Sequence, residues 1–179
     1  LSKVDFDLLA RLIKENIETS ATDKRGRQIA PPNVIGIPKT KEEKAEYQKA
    51  RQLGEEALKK GEVAVFVVAG GQGSRLGYEG PKGMFEISPV KHKSLFQLFA
   101  EKIKATEVRY NTTLPWFIMT SEENDDTTRK YFQDKDYFGL GKENIFIFQQ
   151  GMVPALDHSG RLILKDRHEL FMNPNGHGG

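Results

Sequence analysis

The chain is predicted to fold as an α/β layer: a doubly wound, mostly parallel sheet preceded by N-terminal helices. Three observations carry this. Residues 63–69 (VAVFVVA) form an apolar run rich in β-branched side chains, bounded by Gly61 and Gly70, the mark of a core strand. Two more short apolar runs follow, residues 115–119 (PWFIM) and 144–148 (NIFIF). Between the runs lie segments of helical periodicity, and strand–helix–strand alternation implies parallel strands joined by right-handed crossovers.

Taken in order, residues 1–19 place Val4, Leu8, Leu9, Leu12, Ile13 and Ile17 on one helical stripe, with Ser2 as the N-cap. Residues 20–39 hold Gly26, Pro31, Pro32, Gly36 and Pro38 and read as an irregular connector. Thr40 and Glu43 have capping-box spacing and open a charged helix over residues 40–60 with a solvated face. After the glycine-rich turn, residues 85–87 are expected to form a short strand. Ser94 caps a helix carrying Leu95, Leu98, Phe99, Ile103 and Val108. Thr120 and Ser121 sit at the carboxyl end of the second strand, and residues 124–133 read as a short polar helix. Residues 153–156 are expected to pair with 162–164 around a turn ending in Gly160. Phe66, Phe96, Phe99, Trp116, Phe117, Phe146 and Phe148 are read as core. The division is a helical segment, 1–60, and an α/β domain, 61–179. The chain starts on Leu1 and ends within a second glycine-rich stretch, residues 174–179 (PNGHGG), so it is expected to be part of a longer protein.

Composition narrows the function. The 27 basic and 25 acidic residues nearly cancel, which argues against a polyanion-binding surface, and no basic groove accompanies the aromatics, so nucleic acid is not expected as a partner. No apolar run approaches the roughly 18 residues of a membrane span, and no signal peptide is seen. Cysteine is absent, which excludes disulfides and thiolate metal sites and fits a reducing compartment. His92, His158 and His168 lie in polar surroundings without metal-site spacing and are read as surface residues.

The chemistry concentrates in residues 70–84 (GGQGSRLGYEGPKGM). Glycines let backbone N–H groups approach a ligand closely, and successive N–H groups make a concave anion site. Ser74 adds a hydroxyl, Arg75 a charged fork suited to phosphate oxygens, and Lys82 a compact cation behind Pro81. The dinucleotide fingerprint does not fit, because its third glycine would fall on Leu76. The P-loop pattern does not fit either, because Gly83 follows Lys82.

The run AGGQGSRLG…PKGM resembles the signature of the eukaryotic-type UDP-sugar pyrophosphorylases. Residues 148–154 (FQQGMVP) and 172–179 (MNPNGHGG) extend the resemblance, which covers the chain from about Thr40 onward. It implies a Rossmann-like nucleotide-diphospho-sugar transferase fold and a uridylyltransferase acting on UTP and a sugar 1-phosphate in the cytoplasm. It also implies Mg²⁺ as cofactor, with the metal's usual carboxylate expected outside this stretch and no ligand assigned within it. Carried onto these positions, the resemblance makes Arg75 and Lys82 catalytic. Val68, Ala69, Gly70, Gly71, Gly73 and Ser74 would contact the nucleotide; Gln150 would read the uracil edge, an amide offering both donor and acceptor. Gln149, on the opposite face, is read as structural. Gly176 would approach the base and His177 the sugar phosphate. The body of the chain looks like the N-acetylglucosamine branch, whereas His177 in a G-H-G setting looks like UDP-glucose and broad UDP-sugar enzymes. A non-catalytic UDP-sugar-binding module and a purely structural α/β domain remain open alternatives.

Overall fold

The computed structural model of the chain describes residues 4–21 and 30–176, with the backbone alone for 15–21. Two compact units are distinguished, Leu1–Ile37 with Met152–Pro174 and Pro38–Gly151 with Asn175–Gly179.

In the larger unit, helix α2 is Lys41–Lys59, numbering from α1 (Phe6–Ala21) of the smaller unit. The expected capping box opens α2: Thr40 accepts from the Glu43 N–H at 3.2 Å and Glu43 accepts from the Thr40 N–H at 3.0 Å. The helix buries none of its residues, as its charges foretell. Gly61, at φ +71°, turns the chain out of it. Strand β1 (Val65–Val68), helix α3 (Leu95–Tyr110), strand β2 (Trp116–Thr120), helix α4 (Asp125–Asp134) and strand β3 (Ile145–Gln149) follow. The sheet order is β1-β2-β3, with both pairings parallel. This is the predicted α/β layer.

Ser94 caps α3 as expected, its hydroxyl accepting from the Gln97 N–H at 3.1 Å. Phe96, Ala100 and Ile103 on α3 and Phe132 on α4 meet Trp116 and Ile118 of β2 in one core. The rings of Phe96 and Phe132 lie 5.0 Å apart and those of Trp116 and Phe132 5.4 Å, both edge to face. Each such ring contributes about 1.5–3 kcal/mol by leaving water.

Several expectations need correction. β1 and β3 are not buried on both faces. Val65, Val67, Ile145 and Ile147 pack on the core, but Phe66, Phe146 and Phe148 are 53%, 45% and 40% exposed and are not core residues. Side chains alternate across a strand, and these three lie on the face turned away from α3 and α4. Residues 85–87 form no strand; a single antiparallel bridge joins Glu86 to Ser94. Helix α4 is less polar in role than in composition, burying Asp125, Thr128 and Phe132. His92, His158 and His168 are exposed, as read.

In the smaller unit, Ser2 lies outside the described residues. The described start of α1 is capped by Asp5, whose carboxylate accepts from the Leu8 N–H at 2.8 Å. Strand β4 (Met152–Pro154) pairs antiparallel with β5 (Met172–Pro174). The predicted hairpin is therefore correct only at its tip. Gly160, at φ +81°, donates to Asp157 O, and Leu156 bridges Leu162, while residues 153–154 take β5 as their partner. No described helix is long and apolar enough to cross a membrane.

Candidate active site

The site is built where the parallel strands end. The last β1-side ladder bond runs from Ala69 N–H to Met119 O at 2.7 Å. Gly70 follows, so close to β2 that a Cβ on it would lie 3.2 Å from Ser121 N. The chain then makes a closed loop. Gly73 N–H donates to Gly80 O at 2.8 Å and Lys82 N–H to Gly71 O at 3.0 Å, with Gln72 bridging Pro81. Within the loop, Ser74–Leu76 is one 3-10 turn, ended by Gly77 at φ +69°. The Tyr78 ring fills the inside. A Cβ on Gly73 would sit 2.8 Å from it, so this glycine is required by packing as well as by any ligand.

Several of the loop's donors are left unpaired. Among the described residues, the N–H groups of Gly70, Gly71, Gln72, Ser74 and Arg75 have no acceptor, and neither the Lys82 ammonium nor the Arg75 guanidinium has an ion-pair partner. The Lys82 ammonium stands in front of Gly71: a Cβ there would lie 3.8 Å from Nζ. Val68, Ala69, Gly71 and Lys82 line one small cavity of about 100 Å³. Ser74 lines a separate cleft of about 790 Å³ with Gln72, Tyr78 and Asn124. Arg75 is exposed on the turn and lines neither.

At the end of β3, Gln150 N–H donates to Thr120 O at 2.8 Å, and its side-chain Nε2 donates to Gly176 O at 2.8 Å. The two candidate base-contacting residues are thus joined, leaving the Gln150 carbonyl and one N–H for a ligand. Asn175 N–H donates to Gly151 O at 3.0 Å, which fixes the approach of Gly176. His177 lies outside the described residues.

Sequence reasoning missed the buried polar network beneath these strand ends. The Thr120 hydroxyl donates to Asp125 Oδ1 at 2.6 Å, and Arg129 Nε donates to Asp125 Oδ2 at 2.6 Å. Arg129 also reaches Ile147 O at 2.7 Å, tying α4 to β3. Burial pushes the Asp125 carboxyl up, but hydrogen bonds from Arg129, Thr120 and Gln149, with the Arg129 charge, outweigh it and hold the group below the ordinary carboxylate range. A depressed carboxyl stabilises the fold fully above its unfolded value of about 3.9, and that contribution is lost as pH falls through the folded value. Asp125→Asn is accordingly expected to cost about 1–3 kcal/mol at pH 7 and progressively less toward pH 3; urea denaturation at the two pH values checks it.

Among the described residues, no group of three or more His, Cys, Asp or Glu could hold a metal ion.

A glycine loop with unpaired N–H groups at the carboxyl end of a parallel strand lies where open α/β sheets bind their ligands. Residues 6–179 match the UDPGP family profile, described as UTP–glucose-1-phosphate uridylyltransferase, and the chain belongs to this family. It is 46% identical over 132 residues to the UDP-N-acetylglucosamine pyrophosphorylase of Saccharomyces cerevisiae, covering 72% of this chain and 28% of that protein. It is 32% identical over 192 residues to UDP-N-acetylglucosamine diphosphorylase 1 of Arabidopsis thaliana, covering 100% and 37%. The crystal structure of uridine diphosphate N-acetylglucosamine pyrophosphorylase from Trypanosoma brucei in complex with inhibitor superposes with a TM-score of 0.78 at 30% identity, over 98% of this chain and 36% of that one. The chain thus spans about a third of the length of these relatives.

Proposed function

We propose that the protein is a uridylyltransferase that makes a UDP-sugar and pyrophosphate from UTP and a sugar 1-phosphate, with N-acetylglucosamine 1-phosphate as the sugar. The observation that carries this is the pairing of the Lys82 ammonium with the glycine loop at the end of β1, beside N–H groups that have no other acceptor among the described residues. Residues 61–179 would be the N-terminal part of the catalytic domain, and 1–60 a helical segment before it. Val68, Ala69, Gly70, Gly71, Gly73 and Ser74 hold the nucleotide. Gln150 and Gly176 read the base, and His177 faces the sugar phosphate.

In the reaction, a sugar-phosphate oxygen attacks the α-phosphorus of UTP. The new P–O bond forms as the bond to the bridging oxygen of pyrophosphate breaks in line, and the electron pair leaves with pyrophosphate. No covalent enzyme intermediate is needed. The protein's part is positioning and neutralisation of developing charge by Arg75, Lys82 and the loop N–H groups. Family membership supports a Mg²⁺ requirement and a cytoplasmic setting.

The test is pyrophosphate release by the full-length protein from UTP and Mg²⁺ with a panel of sugar 1-phosphates. Fastest turnover with N-acetylglucosamine 1-phosphate is expected. Preference for glucose 1-phosphate would move the chain to the other branch, as His177 in its G-H-G setting allows. UTP binding without turnover on any sugar would favour a binding module.

A further inference from the structure

We infer that Asn124 is a positioning residue that fixes the direction of the Gly71 N–H for the nucleotide; this rests on the uridylyltransferase reading. Asn124 is 1% exposed and stands at the head of α4, where its side chain makes no capping bond. Instead Nδ2 donates to Gly70 O at 2.8 Å, 54 residues away in sequence. Its Oδ1 is buried with no partner among the described residues. A buried amide that leaves its acceptor unsatisfied is a poor choice for stability alone. Its one bond goes to the loop.

The consequence follows from peptide geometry. The bond between Gly70 and Gly71 is trans, as are all those described, and a planar trans peptide points its C=O and N–H in opposite directions. Anchoring Gly70 O on Asn124 therefore turns the Gly71 N–H away from Asn124. The next peptide is held likewise, because Gly71 O accepts from the Lys82 N–H at 3.0 Å, which orients the Gln72 N–H. Neither N–H has an acceptor among the described residues. Both donors are thus held before a ligand arrives, the Gly71 N–H by Asn124 and the Gln72 N–H, turned away from the Lys82 N–H, by a backbone bond.

Asn124→Leu keeps the branched shape and removes both the donor and the orphaned acceptor. Asn124→Ala removes the whole carboxamide, donor and acceptor together, and leaves its space empty. Because the side chain caps nothing, neither change takes a bond from α4. Calorimetric titration of the full-length protein with UTP, at a temperature where each variant is fully folded, is expected to show about 2–13-fold weaker binding for both, the range of one hydrogen bond, with kcat at saturating UTP changed far less and Tm lowered by no more than the few degrees that one lost bond accounts for. A merely structural residue would lower Tm and leave UTP affinity alone. Wild-type protein that binds UTP, with both variants binding equally well, overturns the role of Asn124 and spares the functional reading. Wild-type protein that does not bind UTP overturns both. If the variants do not fold, amide exchange on the wild type decides: slowing at Gly71 when UTP is added supports the alignment, and unchanged exchange refutes it.

Discussion

Lys82→Ala is expected to lower turnover by about 10²–10³-fold while shifting stability by no more than about 0.5 kcal/mol. The separation of the two effects comes from how the residue is held. Its backbone closes the loop: the N–H donates to Gly71 O at 3.0 Å and the carbonyl accepts from the Phe85 N–H at 3.1 Å. Alanine keeps both bonds. The side chain is exposed and has no ion-pair or hydrogen-bond partner among the described residues. What alanine removes is a charge in front of Gly71, where the α-phosphate is proposed to gain negative charge as the new bond forms. Arg75 is also without a partner among the described residues, but it sits on the turn and not behind a fixed proline. Its guanidinium is aimed less firmly, and so Lys82 is ranked first. Pyrophosphate release and a thermal melt on the same preparations decide the matter. Near-normal turnover would remove the lysine from the mechanism, and a large loss of stability would make it structural.

Much of the fold was legible because its signals are local. The Thr40/Glu43 capping box, the Ser94 cap and the three apolar runs each report on a few adjacent residues, and each marks its element within a residue or two. The failures share the opposite property. An unbroken apolar run reads the same for central β2, where Trp116 and Ile118 are fully buried, as for β1 and β3, where Phe66, Phe146 and Phe148 are open. Only strand order separates them. The pairing of Met152–Pro154 with Met172–Pro174 spans some twenty residues. Nothing at either end encodes it, whereas the Gly160 turn between them is plain in the sequence.

The site divides in the same way. The glycine loop and Lys82 were legible because glycine spacing and a lysine after proline carry chemical meaning by themselves, whereas Gln150 was assigned through the family resemblance. The meeting of Gln150 with Gly176 is consistent with their shared assignment to the base and adds a bond that spacing could not supply. Asn124, Asp125 and Thr120 were not legible. A run such as NDDTT looks like an ordinary polar helix start, and burial of its carboxamide and carboxylate arises only when α4 lands on the ends of β1, β2 and β3. A strand that ends in Thr-Ser just before an Asn-Asp helix start was the one available hint.

Gly83→Ala ties the core to the chemistry and carries the second large effect. Gly83 is buried directly after Lys82, and a Cβ there would land within the contact radius of the Phe96 ring. The ring can yield only toward the small cavity beside Lys82, which Gly83 and Phe96 also line. Phe96 is 1% exposed and lies edge to face with both Phe132, at 5.0 Å, and Trp116, at 6.3 Å. The backbone must therefore move, or the cluster must loosen. Overpacking of this kind costs about 1–3 kcal/mol, which for a domain of this size lowers Tm by about 3–10 °C. Because the displaced backbone is that of Lys82's neighbour, turnover is expected to fall well below wild type even at a temperature where the variant is fully folded. The double variant Gly83→Ala/Phe96→Leu separates the steric cause from any other: a smaller, flexible side chain at position 96 makes space for the methyl group. The pair is then expected to be more stable than the sum of the two single losses predicts. Additive losses would mean that Gly83 is required for a reason other than its contact with the ring, and turnover unchanged by Gly83→Ala would show that the core does not set the position of the ammonium.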